Sequence, residues 1–206
     1  ELFQIWLNLP ADDKLAPPHF SMLWGEEIPK PIVRDALGRA VEMTVVAGAL
    51  GEHRPPAPPP RSWASRPDAD VAIWSLRFEP GAAFTLPRAA GERTNRTLYF
   101  FEGPTLRIDD HEQRSHSAIG VMADKDLVLT AGDGACEVLM LQGRPIDEPV
   151  AQYGPFVMNT PEEIQRAFAD YRRTQFGGWP WPVDDPVHPK DAGRFAKHAD
   201  GRVEKR

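Results

Sequence analysis

Between residues 41 and 141 the chain is cut into short apolar runs, each too brief for a stable helix and each bordered by a turn signal; this spacing constrains it to a β architecture. The runs cover residues 41–46, 71–78, 97–101, 106–108, 126–130 and 135–141. Beside them lie Pro80-Gly81, Gly103-Pro104, Asp109-Asp110 and Gly132-Asp133-Gly134, residues that preset or free the backbone angles of turns. Regular short strands with such punctuation predict an all-β jelly roll or sandwich. The tract Pro55-Pro56-Ala57-Pro58-Pro59-Pro60 is stiff and extended, and reads as a surface loop before it reads as a ligand for an aromatic groove.

The flanks differ from this core. Phe3, Ile5 and Leu7 alternate with Gln4, Trp6 and Asn8, so residues 2–9 are expected to be a strand. It starts on Glu1 without a preceding turn, which predicts that a piece precedes it. Pro10, Pro17, Pro18, Pro29 and Pro31 prevent a long helix and predict an extended connector to residue 32. One helix is expected from Thr160: Thr160 as N-cap, Pro161 at the first helical position and Glu163 form a capping box. Ile164, Ala167, Phe168 and Tyr171 make its apolar face, and Gly177-Gly178 is expected to end it. The proline-broken residues 179–206 are expected to dock through Trp179 and Trp181 and then fray.

Charge and cysteine usage exclude several classes. The formal net charge is −6, with 26% charged and 41% hydrophobic residues, and the one dense basic cluster, Arg166, Arg172 and Arg173, falls on the expected helix. Phosphate-binding proteins concentrate basic residues in a patch, so direct nucleic-acid binding is not expected. No apolar run is long enough for a membrane span or a signal peptide, and a cytoplasmic, soluble protein is the expectation. Cys136, the single cysteine, lies in an apolar run and reads as a buried thiol; it has no nearby basic partner that would make it a nucleophile. Gly48, Gly51, Gly132 and Gly134 read as turn glycines, not a phosphate cradle, since the strand, loop and helix succession is missing.

Three separated signatures carry a family resemblance. The first is Phe3-Gln4-Ile5-Trp6-Leu7-Asn8-Leu9-Pro10, followed by Lys14, Pro17-Pro18 and Glu27-Ile28-Pro29. The second is Pro149-Val150-Ala151-Gln152-Tyr153-Gly154-Pro155-Phe156-Val157-Met158-Asn159-Thr160-Pro161-Glu162-Glu163-Ile164. The third is Gly177-Gly178-Trp179-Pro180-Trp181 with Gly193-Arg194-Phe195 and His198-Ala199-Asp200-Gly201-Arg202. Together they resemble the C-terminal part of bacterial members of the pirin family. That resemblance implies a two-domain cupin, of which residues 1–32 would be the last strand of an otherwise missing N-terminal cupin plus a connector. Residues 33–150 would be the C-terminal cupin, 151–178 a crossing segment and helix, and 179–206 an extended tail. Pirins hold one iron or related divalent metal in the N-terminal cupin through three histidines and a glutamate, all upstream of the segment that matches residue 3. Some members are described as quercetin 2,3-dioxygenases and an animal form as a nuclear transcriptional cofactor.

The resemblance also allows a test for metal in the cupin that is present. A metal cupin needs a Pro-Gly turn, two histidines, an acidic residue and an aromatic strand ending in Gly, because imidazole and carboxylate together suit a redox-active divalent ion. Here the frame runs from Pro80-Gly81 to Tyr99-Phe100-Phe101-Glu102-Gly103, with Leu86 and Arg88 near the histidine positions and Thr94 and Asn95 near the acidic one. Leucine cannot ligate, and arginine repels a cation. His111, Glu112 and His116 fall in polar sequence read as a surface loop. His19, His53, His188 and His198 read as isolated. No catalytic, cofactor or metal residue is therefore assigned to this chain. Three functions stay open: a non-catalytic, partner-facing cupin half; part of an iron-dependent quercetin 2,3-dioxygenase-type enzyme whose metal site lies in the absent cupin; and a small-molecule sensor using an empty barrel. The expected partner is the missing half, or a second chain, covering the strand from Phe3 to Leu9.

Overall fold

A computed structural model describes residues 2–206, which divide into two compact units: residues 2–9 with 23–147, and residues 10–22 with 148–206. The first is built from β1 (Ile32–Arg34), β2 (Ala40–Ala47), β3 (Ala72–Phe78), β4 (Ala83–Leu86), β5 (Asn95–Glu102), β6 (Thr105–Ile108), β7 (His111–Arg114), β8 (Ser117–Val121), β9 (Leu127–Ala131) and β10 (Cys136–Gly143). These form a six-stranded sheet, β1-β2-β3-β10-β5-β8, and a four-stranded sheet, β4-β9-β6-β7, with antiparallel pairing throughout. Side chains of both sheets share one core, as a jelly roll requires.

Period-two alternation sets which side chains meet there. On the larger sheet Val45, Trp74, Met140 and Leu98 lie in one row, and Met43, Leu76, Val138 and Phe100 in the next. On the smaller sheet Phe84, Leu129 and Ile108 are cross-strand neighbours, beside Leu86 and Leu127. All of these are buried, and each full burial of such a side chain stabilises by about 1.5–3 kcal/mol. Gly103 ends β5 at φ +109, where a Cβ would lie 2.5 Å from that of Cys136, so the strand closes on a residue that only glycine can be.

In the second unit β11 (Ala151–Tyr153) and β12 (Phe156–Met158) form a hairpin, followed by α1 (Pro161–Thr174), the one α-helix among the described residues. Thr160 Oγ1 accepts the Glu163 N–H at 3.2 Å and the Glu163 carboxylate accepts the Thr160 N–H at 3.0 Å, completing the capping box. Ile164 and Ala167 are buried, and Phe168 and Tyr171 pack on Phe156 with ring centroids at 4.6 and 5.9 Å. A last hairpin joins β13 (Phe195–Lys197) to β14 (Val203–Lys205).

Four sequence-based expectations are corrected. Residues 2–9 form no strand; Phe3 packs edge-on to Phe101 at 4.9 Å, while Leu2 and Trp6 stay largely exposed. The polar stretch from Asp110 is not all loop, since β7 pairs with β6 through backbone bonds that need no apolar face. The helix stops at Thr174, before Gly177, because Gln175 takes the left-handed conformation at φ +52. The tail does not simply fray: β13 and β14 pair and bury His198.

Candidate functional site

The interior where a cupin would hold a ligand is occupied by side chains. Leu86, Leu98, Phe100, Leu129 and Met140 are fully buried there, and Leu127 and Phe84 nearly so. A small molecule inside the barrel would have to displace this packing, which is costly because protein interiors are already dense.

The polar exception lies one rung beyond this apolar core. β5 points Arg96, Leu98 and Phe100 inward, and Arg96 pairs in register with Gln142 of β10. The Arg96 side chain is 3% exposed; its Nε donates to Gln142 Oε1 at 2.8 Å, and Nη2 donates to the same oxygen. Gln142 in turn donates from Nε2 to the Asp70 carbonyl at 3.1 Å. The Asp70 carboxylate accepts the Gly91 N–H at 2.9 Å and the Thr94 hydroxyl at 2.6 Å. Burial pushes the Arg96 guanidinium down from its ordinary ionisation range, while the charges of Asp70 and Asp126 act in the opposite direction. Nη1 is buried without a hydrogen-bond partner.

This arrangement fits a bound divalent metal poorly. Leu86 belongs to the core, Arg88 is exposed and uses its backbone N–H to donate to Asp126, and Asn95 is exposed. Thr94 binds Asp70, and the inward position that opens the aromatic strand carries a cation of its own. Sequence reading placed the acidic position at Thr94 and Asn95 and passed over Arg96; the alternation Arg96, Leu98, Phe100 was the signal that could have found it. Among the described residues no group of three or more His, Cys, Asp or Glu side chains is arranged to hold a metal ion.

The other singled-out residues are dispersed. His111 and Glu112 lie exposed on the edge strand β7, and His116 is exposed at φ +63 beyond it. His19, His53 and His188 are exposed, with His19 beside the Ser21 hydroxyl and His188 edge-on to Phe195. His198 was expected to be isolated, but its Nε2 lies 2.7 Å from Glu204 and its Nδ1 3.2 Å from Arg202, so it organises the last hairpin. Arg166 and Arg173 pair with Glu163 and Asp170 on α1. Cys136 is buried in β10.

Surface grooves supply a different kind of candidate. In the first unit Ile5, Leu7 and Leu23 face Val46, Ile73 and Pro56 across a cavity of about 440 Å³, so the proline tract lines an apolar groove. Nearby, Leu2 is 90% and Trp6 66% exposed. An exposed apolar groove on a folded domain marks a contact face.

Comparison with known proteins decides the family. The Pirin C-terminal cupin domain family matches residues 73–177. The chain belongs to the pirin family. Human Pirin is 31% identical over 179 residues, covering 84% of this chain and 56% of that protein. A Pseudomonas aeruginosa protein assigned provisionally as a quercetin 2,3-dioxygenase is 31% identical over 176 residues, 85% of this chain and 57% of its own length. A crystal structure of quercetin 2,3-dioxygenase from Acinetobacter baumannii superposes with a TM-score of 0.69 at 27% identity, over 84% of this chain and 56% of that one. The chain thus spans little more than half the length of these pirin relatives, and its matched region is the C-terminal cupin with antiparallel sheets and one helix. Among the described residues no helix is long and apolar enough to cross a membrane.

Proposed function

We propose that this chain acts as a non-catalytic, structural and partner-facing cupin half of a pirin-like protein. The observation that carries this reading is the barrel itself: its interior is packed with Leu86, Leu98, Phe100 and Met140, and its polar rung is formed by Arg96 and Gln142. Redox metal chemistry needs converging imidazole and carboxylate donors, and these positions offer an alkyl group and a guanidinium. The exposed Leu2 and Trp6 support a partner-facing role, the partner being another polypeptide that covers residues 2–9. Metal analysis and quercetin turnover on the purified 206 residues test the proposal. The expected result is metal far below one ion per chain and no turnover; stoichiometric iron or nickel with turnover overturns it.

A second reading is supported by the likeness to quercetin 2,3-dioxygenases and by the partial coverage of those relatives. In it the chain is the non-metal half of an iron-dependent dioxygenase-type enzyme, and the metal belongs to a second cupin. Activity that appears only when a metal-bearing cupin polypeptide is added would favour this reading. The sensor reading is disfavoured by the filled barrel.

A further inference from the structure

Arg96 is wholly enclosed, and its guanidinium donates to a single oxygen. Gln142 binds it from β10, that same amide reaches the Asp70 carbonyl, and Asp70 ties down the turn at Gly91 and Thr94 that leads into β5. Asp126, the other carboxylate acting on Arg96, binds the Arg88 backbone at the start of that same connection. Asp70 itself sits at φ +49, in the left-handed region that aspartate enters more readily than most side chains. A strand rung and the half-buried Asp70 turn are therefore joined through Gln142 beside one positive group.

We propose that Arg96 is the resident cation of this barrel: a side-chain charge that, through Gln142, ties the β5–β10 rung to the Asp70 turn, next to Thr94 and Asn95 where the acidic position was expected. A guanidinium suits the task because its planar fork aims two neighbouring donors, Nε and Nη2, at the one Gln142 oxygen, whereas an ammonium is a compact point charge. The proposal concerns how this domain is held together and stands whether or not the partner-facing role is correct.

The test is thermal melting of the full chain. Arg96→Met keeps much of the volume and removes the charge, and a fall of roughly 3–10 °C is expected, since the Gln142 side-chain oxygen loses both of its Arg96 donors. Arg96→Ala is expected to melt lower still and to recover partly in millimolar methylguanidinium but not in methylammonium, measured against the unmodified chain in the same solutions. An Arg96→Met protein that melts within about 2 °C of the parent overturns the proposal. Should Arg96→Met not yield folded protein, nitrogen-resolved NMR of the unmodified chain decides. An Arg96 Nε–H protected from solvent exchange supports it, and one exchanging as fast as those of exposed arginines overturns it.

Discussion

Cys136 shows what burial does to a single group in this barrel. Desolvation, reinforced by the neighbouring Glu137 charge, pushes its ionisation up to about 12 from the usual 9.0. An unfolded thiol releases its proton near 9.0 while the folded one keeps it to about 12, so the unfolded state binds fewer protons in between and stability falls as pH rises through that window. The parent should lose at most about 1.4 kcal/mol per pH unit from this group. Cys136→Ala should show a lower stability at neutral pH but a shallower alkaline decline, read from urea unfolding curves across the window. The burial of Cys136 was legible in its apolar run; the role of Arg96 was not. Polar residues cluster at 92–96, and only the phase of the strand, fixed by Leu98 and Phe100, tells which of them turns inward.

Elements with an apolar face or a side-chain cap could be read locally, and those held by backbone pairing could not. The start of α1 is written in Thr160, Pro161 and Glu163, and Thr160→Ala should lower stability by about 1 kcal/mol by removing the cap, with a small loss of helical circular dichroism. By contrast β7 reads His111-Glu112-Gln113-Arg114, solvated at the sheet edge, so hydrophobic periodicity carries no trace of its ladder to β6. The opposite error arose at Phe3, Ile5 and Leu7: alternation reports a face that wants cover, and it is silent about whether another backbone supplies hydrogen bonds. β13 and β14 were hidden for a third reason, because their pairing is secured by His198, Glu204 and Arg202 instead of an apolar stripe.

At the scale of the molecule the jelly-roll core was legible in the rhythm of strands and turns, while its surface was not, since exposure is a property of the assembled fold. Leu2 and Trp6 stand in solvent beside an apolar groove, and a chain with this face uncovered should self-associate as its concentration rises. Leu2→Ser with Trp6→Ser should leave the melting temperature unchanged and shift sedimentation towards a single small species; persistence of the larger species would place the sticky surface elsewhere. The Arg96 rung gives the domain a different independence. A guanidinium joined to its own backbone cannot be extracted by a chelator, starved by poor iron supply or altered by oxygen. The Arg96–Gln142 rung is therefore held by the chain's own side chains at any level of metal supply.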